Sequence, residues 1–520
     1  MKTYDYIVVG GGSSGCVAAA ELARANRSVL LLECGETAEA NPETLRADGY
    51  KDAFANDRVI WERFSAPQKN CRDLRVFMGS GTGMGGSGSV NGMVYTRGAA
   101  ADYAEWPRGW RWEDVRSDFE AIEMVIRPNR RAPTEFTEAC VRGAEEAGFR
   151  RKDDLNDGDL CGVIGYEWMN YEGDARRSSY VAFVRDGSLR TLTVETGARA
   201  EKLDIDAHKR VTGVTYLKDG KRLQAKARHE VVLCAGALET PKLLMLSGVG
   251  PTQALRNFEI PVVLDAPGVG GNLHDHPNVP LFFAGGHEVD CRYPQLYSFH
   301  RANPDSELPR GQSDTCYVYW PARSSMKEAM KRILPSKVLP ESLYEAHRGK
   351  IRAGVDLAFR SAALQRFIER MYGIVIILGK PKSRGRLSLR SRDVAEQARI
   401  DPAYYQNPED MQTMLKAVRI ARNVAASSSM SRFGNRELMP GKRVTSDEKL
   451  ARFIEENTIT TYHFAGTCRM GEDAASVTDT RLLFRGLRGL RIGDASVIPT
   501  TPVSALNAPS MLVGYRAAKF

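Results

Sequence analysis

An α/β fold is predicted, because a strand, a glycine-rich turn, a helix and a second strand follow one another at the start of the chain. Residues 4–9 form a short β-rich run that leads directly into a Gly-x-Gly-x-x-Gly turn at 10–15. Small residues at 16–23 predict a helix that packs closely on a sheet, and the aliphatic run 28–32 predicts a buried strand. A length of 520 residues suggests two or three domains.

The order of these elements indicates a nucleotide-binding turn. Gly10 permits the tight turn, Gly12 lets a diphosphate approach the backbone, and Gly15 brings helix and strand together. The first N–H groups of the helix and its dipole then bind the diphosphate. Glu33 follows the second strand, where an acidic side chain accepts hydrogen bonds from an adenosine ribose. This pattern alone does not distinguish NAD from FAD.

Composition and spacing exclude several other classes of protein. No apolar run approaches the ~20 residues of a membrane helix. The first strand begins by Tyr4, which leaves no room for a signal peptide, so we expect a cytoplasmic protein. The nine cysteines are dispersed and form no Cys-x-x-Cys pair, which indicates reduced thiols. His274 and His276 are the only close histidine pair, and no metal site is predicted.

Basic residues are in excess and concentrate between Lys327 and Arg370. The formal net charge of +9 weakly favours an anionic substrate, one that bears a carboxylate or phosphate. A helix lying on a membrane surface is an alternative for the 327–370 segment, but an ordinary amphipathic helix is favoured. No nucleic-acid partner is predicted.

A second set of motifs is more specific than the glycine turn. Residues 84–106 begin Met-Gly-Gly-Ser-Gly-Ser-Val-Asn-Gly-Met and end Asp-Tyr-Ala-Glu-Trp. Further motifs follow in order at residues 231–244, 267–276, 462–471 and 490–499. Together they resemble the signature segments of the glucose-methanol-choline (GMC) family of flavin oxidoreductases, in particular its choline dehydrogenase and aryl-alcohol oxidase-like branch.

The resemblance implies two domains that alternate along the chain. A Rossmann-type FAD-binding domain is expected from residues 1–155, 190–280 and 455–520. An α+β substrate-binding domain with an antiparallel sheet is expected from 156–189 and 281–454. Within the latter, the runs Ile374–Leu378 and Gly385–Leu389 read as strands of a sheet that faces the flavin, and residues 408–425 read as a helix.

The resemblance also assigns catalytic residues. His463 matches the family's catalytic base, and an imidazole suits proton removal near neutral pH. Asn507 matches the second catalytic position, where its amide hydrogen-bonds the substrate oxygen. A competing interpretation makes Asn507 the N-cap of the last helix, and both roles together are favoured. His276 also matches a family position, and we interpret it as structural.

Cofactor contacts are expected from the same motifs. FAD is expected to be bound non-covalently, because Val90 stands where some family members carry the histidine that attaches the flavin. The predicted contacts are Gly10, Gly12, Ser13, Ser14, Gly15, Glu33, Gly86, Asn91, Gly92, Met93, Val94, Ala235, Gly236, Asp494, Ala495, Asn507 and Ala508.

The resemblance therefore implies oxidation of an alcohol, with a primary alcohol favoured, by hydride transfer to flavin N5. A lyase of the cyanohydrin type on the same scaffold is the alternative, with FAD as a structural group. The substrate would be a small-molecule alcohol. O2, a quinone and an electron-carrier protein are all open as the electron acceptor.

Overall fold

Two large β-sheets organise the chain, and helices pack against both. The computed structural model describes residues 2–338 and 341–520. The strands are β1 Lys2–Val9, β2 Val29–Leu32, β3 Ile60–Trp61, β4 Ser80–Gly81, β5 Val94–Tyr95, β6 Arg150–Arg151, β7 Val163–Tyr166, β8 Trp168–Met169, β9 Tyr171–Glu172, β10 Ala175–Arg176, β11 Leu192–Glu195, β12 Arg199–Ile205, β13 Val211–Lys218, β14 Lys221–Leu233, β15 Val249–Gly250, β16 Leu264–Asp265, β17 Pro277–Ala284, β18 Leu296–His300, β19 Thr315–Pro321, β20 Met371–Leu378, β21 Arg386–Ser388, β22 Arg399–Asp401, β23 Arg436–Met439, β24 Ile459–Thr460 and β25 Leu490–Ile492.

The α-helices lie between these strands and at the end of the chain. They are α1 Ser13–Arg24, α2 Tyr50–Ala55, α3 Ala100–Tyr103, α4 Trp112–Ile126, α5 Glu135–Glu146, α6 Ser179–Phe183, α7 Gly236–Leu246, α8 Thr252–Arg256, α9 Met326–Val338, α10 Glu341–Ala358, α11 Ala362–Glu369, α12 Pro408–Ala426, α13 Asp447–Asn457 and α14 Asn507–Lys519. Short 3₁₀ helices include Gly86–Ser89 and Ala495–Val497.

The first sheet is mostly parallel, and the glycine turn follows the carboxyl end of its strand β1. Its strand order is β11-β2-β1-β14-β13-β12, and β25 also pairs with β14. The β11, β2, β1, β14 and β25 pairings are parallel, whereas β12, β13 and β14 form an antiparallel meander. Ile7, Val8 and Val9 are all buried, which is typical of a parallel strand covered on both faces. Helices α6 and α14 pack against α1.

Gly15 allows α1 to lie directly on the turn that precedes it. A Cβ at this position would stand 1.9 Å from the carbonyl oxygen of Gly10 and 3.1 Å from Cβ of Cys234. Gly10 itself has φ +106°, in the region that favours glycine. The predicted role of Gly15 in helix–strand packing is therefore confirmed.

The second sheet is mostly antiparallel and forms a wall opposite the glycine turn. Its order is β23-β17-β20-β19-β18-β7-β6, and β24 pairs with the start of β17. Alternation along β20 divides the two faces: Ile374 and Ile376 are buried in the main core on the side where α12 packs, and Val375 and Ile377 point to a cavity. The sheet thus separates a helical layer from an open interior space.

Most of the predicted elements agree with the structure. The mixed α/β class, the first strand–turn–helix–strand unit, the strand at 374–378 and the helix at 408–425 are confirmed. The strand at 385–389 exists as Arg386–Ser388, but its placement in the sheet of the cavity wall is wrong. As a strand it pairs with β22 in a separate two-stranded ribbon, and Gly385 bridges to Leu273. In the wall, both edges of β20 are occupied by β17 and β19, so no place beside β20 is left for it.

The two sheets interleave along the chain more finely than the expected domain boundaries. Strands β6 and β24 and the first residues of β17 fall in the segments expected for the FAD-binding domain, yet they pair in the second sheet.

Within the basic 327–370 segment, residues 339 and 340 lie outside the described part of the chain. Among the described helices, none combines the length and apolarity needed to cross a membrane. The nine cysteines all lie in the described part of the chain, and none of them forms a disulfide.

Candidate active site

A cavity of about 620 Å³ is lined by residues of both sheets and of the connections between them. It brings together segments from the start, the middle and the end of the chain. The predicted site residues that line it are Gly10, Gly12, Ser13, Ser14, Glu33, Gly86, Asn91, Gly92, Val94, Ala235, Gly236, His463, Asp494, Ala495 and Asn507.

Three residues predicted as cofactor contacts do not line this cavity. Gly15 is held behind the turn by its close packing on Gly10. Met93 is fully buried in a small apolar cluster with Met169, and Ala508 is fully buried in the main core. Each occupies a motif position, but the structure places it one layer behind the residues that face the cavity.

The N-terminal ends of three helices converge on the cavity. Helix α1 begins at Ser13, α7 at Gly236 and α14 at Asn507, and all three residues line the cavity. None of the three helices has a side-chain N-cap. Helix starts carry N–H groups without partners inside the helix and a partial positive charge, so the cavity favours anionic groups at these points.

Glu33 holds three loops together around the glycine turn. Its carboxylate accepts hydrogen bonds from the backbone N–H groups of Gly11 at 2.7 Å, Gly35 at 2.8 Å and Gly83 at 3.0 Å. The side chain is buried yet still borders the cavity. Glu33 therefore shapes the site as well as being available to a ribose hydroxyl.

Asp494 connects the end of β25 to the start of α7. Its carboxylate accepts from the N–H of Gly236 at 2.9 Å, the hydroxyl of Thr240 at 2.6 Å and the N–H of Ser496 at 2.8 Å. Burial raises the pKa of Asp494, and these hydrogen bonds oppose the shift. The residue fixes two cavity-lining segments relative to each other.

His463 lies in the cavity lining and contacts a second histidine. Its Nδ1 is 3.0 Å from Nδ1 of His276, and the two rings are perpendicular with centroids 5.1 Å apart. His276 is fully buried as a residue but also borders the cavity. It is the direct hydrogen-bond partner of the predicted base, and its interpretation as a structural residue stays a prediction.

Asp275 anchors the backbone of this histidine pair. Its carboxylate accepts from the N–H of His463 at 2.7 Å and from the hydroxyls of Thr460, at 2.5 Å, and Tyr404. Burial raises the pKa of Asp275 to about 6, against the effect of these donors. The carboxyl group thus holds the 460–463 segment against β17.

Burial also sets the protonation of both histidines. It lowers the pKa of His463 to about 4, and it holds the pKa of His276 well below its usual value, with the neighbouring His463 acting in the same direction. Both imidazoles are therefore neutral at pH 7. A neutral imidazole has one donor nitrogen and one acceptor nitrogen, so one Nδ1 donates to the other.

Asn507 begins α14 but does not cap it. The N-cap position is Leu506, and Oδ1 of Asn507 instead accepts a hydrogen bond from Oγ of Ser13 at 2.8 Å. The predicted N-cap role is therefore wrong, because the side chain turns away from its own helix toward the glycine turn. The bond links the last helix of the chain to the first.

Three residues on the cavity lining, Trp61, Arg63 and Arg199, belong to no motif in the sequence. Arg63 is buried and donates to Glu239 at 2.7 Å and to Ser80 at 2.6 Å. The guanidinium carbons of Arg63 and Arg199 lie 4.8 and 5.2 Å from the Trp61 ring centre. These residues come from separate segments, so only the folded chain shows that they meet.

The sheet wall of the cavity is apolar and aromatic. Its lining side chains are Asn278, Pro280, Phe282, Tyr297, Cys316, Val318, Trp320, Val375 and Ile377. Helix α9 adds Met326 and Ala329. None of these carries a charge, so the wall offers no cationic partner for the carboxylate or phosphate that the basic net charge favoured.

Family models match most of the chain. A GMC oxidoreductase N-terminal model matches residues 4–278 and a GMC oxidoreductase C-terminal model matches residues 381–514. The chain belongs to the GMC oxidoreductase family. It is therefore an oxidoreductase enzyme, and FAD is its cofactor.

Relatives in this family match over nearly their whole length. The chain is 33% identical to an alcohol dehydrogenase [acceptor] of Pseudomonas putida, over 99% of this chain and 95% of the relative. It is 31% identical to an oxygen-dependent choline dehydrogenase of Pectobacterium atrosepticum, over 99% and 94% of the two chains.

Solved GMC-type structures share the fold. Pyridoxine 4-oxidase from Mesorbium loti superposes with a TM-score of 0.84 at 24% identity, covering 99% of this chain and 98% of that chain. Formate oxidase from Aspergillus oryzae RIB40 also superposes with a TM-score of 0.84, at 22% identity, covering 100% of this chain and 98% of that chain.

Among the described residues, no group of three or more His, Cys, Asp or Glu side chains is arranged to hold a metal ion.

The residues present fit FAD. A Cβ at Gly236 would meet nothing within 4 Å, and one at Gly12 would meet nothing closer than 3.9 Å, so the backbone lies open to the cavity at both helix starts. The backbone N–H groups at these helix starts suit a diphosphate, and Glu33 suits a ribose. This donor set is the one that the sequence motif predicts for a dinucleotide.

Proposed function

We propose that the chain oxidises a primary alcohol with an uncharged, apolar body to the corresponding carbonyl compound. In this proposal His463 accepts the hydroxyl proton and Asn507 hydrogen-bonds the substrate oxygen. The observation that carries the proposal is the neutral His463 ring in a cavity that Asn507 also lines. The names of the relatives, alcohol dehydrogenase [acceptor] and oxygen-dependent choline dehydrogenase, support an alcohol as substrate.

We assign the binding of FAD to a Rossmann-type domain of residues 1–155, 190–280 and 455–520. Gly12, Ser13, Ser14 and Gly236 would hold its diphosphate and Glu33 its ribose, with the remaining predicted contacts along the cavity. Non-covalent binding is proposed because Val90 has no side-chain atom able to form the bond. When bound, FAD would supply the acceptor for the hydride that leaves the alcohol carbon.

The protein side chains handle the proton and the substrate oxygen. A neutral imidazole at His463 is in the correct form to accept a proton at pH 7. The Asn507 amide donates to an oxygen on which negative charge develops, without competing for the proton. The aliphatic and aromatic wall removes water from the substrate and would leave a charged substituent packed against it unpaired, which disfavours anionic alcohols at the wall. The cations of the lining, Lys51, Arg63, Arg199 and Lys242, belong to other elements of the cavity.

The electrons removed from the alcohol leave on a second substrate. O2, a quinone or an electron-carrier protein would each complete the cycle, and we propose the acceptor only as one of these three. An alcohol panel assayed with O2 and with an artificial dye separates the choice of alcohol from the choice of acceptor.

The test is anaerobic mixing of the holoenzyme with a panel of apolar, cationic and anionic primary alcohols while the flavin absorbance is followed. We expect apolar alcohols to bleach the flavin and anionic alcohols to fail. His463→Asn should slow bleaching by about 10²- to 10⁴-fold, the usual contribution of a general base. His208→Asn, at an exposed position, is the matched control and should react at the wild-type rate.

The outcome also separates oxidation from the lyase alternative. A flavin that no alcohol reduces, together with cleavage of a cyanohydrin, would contradict the proposed oxidation. If His463→Asn contained its full complement of flavin and bleached at the wild-type rate, His463 would not be the base of the reaction.

A further inference from the structure

The contact between the two histidines couples their tautomers. Nδ1 of His276 and Nδ1 of His463 are 3.0 Å apart, and both rings are neutral. If His276 donates, His463 must accept at Nδ1 and carry its proton on Nε2, where it is no base toward the cavity. If His463 donates, its Nε2 has a free lone pair.

The surroundings of His276 select between these two arrangements. The backbone of Gly379 raises the pKa of His276, which is the effect of a carbonyl oxygen near a ring N–H, and it therefore favours a proton on that ring. Because Nδ1 of His276 faces His463, Nε2 is the nitrogen left to carry that proton. Nε2 is buried and makes no hydrogen bond to the described residues, so a lone pair there would oppose the carbonyl dipole without compensation.

We propose that His276 is a positioning residue that accepts a hydrogen bond from Nδ1–H of His463 and thereby keeps the Nε2 lone pair of His463 available to the substrate hydroxyl. This inference rests on the proposed role of His463 as the base. When Nε2 takes the proton, the Nδ1–H bond to His276 strengthens, because a charged donor makes a stronger hydrogen bond than a neutral one.

The charged and titratable groups around the pair favour two neutral rings, which this direction of donation requires. Asp275 is engaged by backbone and hydroxyl donors and leaves neither ring nitrogen of His463 bound to a carboxylate. Lys380 and His274 both disfavour a positive charge on His276. These groups therefore agree with a neutral His276, and the choice between its two tautomers depends on its contact with His463 and on the backbone of Gly379.

The direct test is the tautomer of His463 in the wild-type holoenzyme. Solid-state ¹⁵N NMR of histidine-labelled protein at pH 7.5 distinguishes protonated from unprotonated ring nitrogens, and His463→Asn identifies the signals by difference. We expect a protonated Nδ1 and an unprotonated Nε2 at position 463. A protonated Nε2 would overturn the proposal, whatever the activity of the enzyme.

Variants at position 276 provide a second test. His276→Asn places an amide oxygen near the position of Nδ1, whereas His276→Leu removes the acceptor. A wrong tautomer in a serine-protease triad lowers kcat by about 10⁴-fold, so we expect His276→Leu to lose about 10²-fold or more in kcat and His276→Asn to recover most of it. KM, flavin content and the melting temperature are measured on both.

The two hypotheses fail in different ways. If His463→Asn keeps the wild-type rate, the proposed function fails. If His463→Asn is inactive while His276→Leu keeps the wild-type kcat and acid limb of the pH profile, only the positioning role fails. Equal losses of kcat in His276→Leu and His276→Asn, with the NMR signal of Nε2 unchanged, would also contradict the role of the acceptor.

Discussion

The two ends of the cavity are built in different ways. At the glycine-turn end, helix starts and backbone N–H groups face the cavity, and Glu33 holds the loops by accepting from three amides. At the histidine end, the atoms proposed to act on the substrate are side-chain nitrogens, and the pairing of β17 with β24 brings the two histidines together. The comparison shows that the first end depends on close backbone approach and the second on strand register.

The register explains why His276 meets His463. Pro277 pairs with Thr460 and Asn278 with Ile459, and the backbone contact continues where the N–H of Thr461 donates to the carbonyl of His276 at 3.1 Å. A shift by one residue would turn the side chains to the opposite face of the sheet. The histidine pair is therefore as sensitive to strand pairing as the glycine turn is to side-chain volume.

The largest effect should come from added volume at the glycine turn. Gly15→Val places a branched side chain where even a Cβ would be 1.9 Å from the Gly10 carbonyl oxygen. Because this neighbour is backbone and cannot rotate away, we expect no folded holoenzyme. Soluble yield, flavin absorbance and circular dichroism measure the effect.

A glycine in an open position provides the matched control. Gly349 lies inside α10, and a Cβ there would meet nothing within 4 Å. Gly349→Ala should stabilise the protein by up to about 1 kcal/mol through helix propensity. Full flavin binding by Gly15→Val would contradict the idea that backbone approach builds this end of the cavity.

The next effect should arise where the two ends meet, at Asn507. Asn507→Asp keeps an oxygen for the Ser13 hydroxyl but replaces the amide donor by a carboxylate. Loss of one donor to a developing oxyanion costs about 10²- to 10³-fold in kcat, and the added negative charge acts in the same direction. We expect a kcat at least about 10²-fold lower, with flavin retained, measured by anaerobic flavin reduction.

Ser13→Ala tests whether the link to the glycine turn matters for this role. It removes the hydroxyl donor and leaves the amide, so we expect a much smaller loss of kcat than in Asn507→Asp. An unchanged kcat in Asn507→Asp would mean that the amide donor does not act on the substrate oxygen, and the residue would then belong to the structural link alone.

The sequence predicted the backbone-built end better than the histidine end. Strand, turn, helix and Glu33 follow one another locally, so spacing and residue type suffice to place them. His463 was predicted through a family resemblance, but its contact with His276 joins positions separated by 186 intervening residues and depends on strand register. Trp61 and Arg63 occupy no motif, and their meeting with Glu239 depends entirely on the folded chain.

The smallest predicted effect concerns protonation at the histidine end. Burial lowers the pKa of His463 to about 4 from its usual 6.5. Between these two values the unfolded chain takes up a proton that the folded chain does not, so the stability contributed by this group falls as the pH drops from about 6.5 to about 4. Asp275 has the opposite sign, because its pKa is raised to about 6 and its contribution is lost as pH rises toward that value.

The difference in unfolding free energy between wild type and His463→Asn isolates the histidine from Asp275. On acidification from pH 7 to pH 4, we expect the unfolding free energy of wild type to fall relative to that of His463→Asn. The change should be no more than about 3 kcal/mol, since one pKa unit corresponds to about 1.4 kcal/mol. Urea unfolding at several pH values measures it. A difference that stays constant across this range would mean that the ring of His463 is hydrated. It would contradict the buried, neutral imidazole on which the histidine end of the cavity depends.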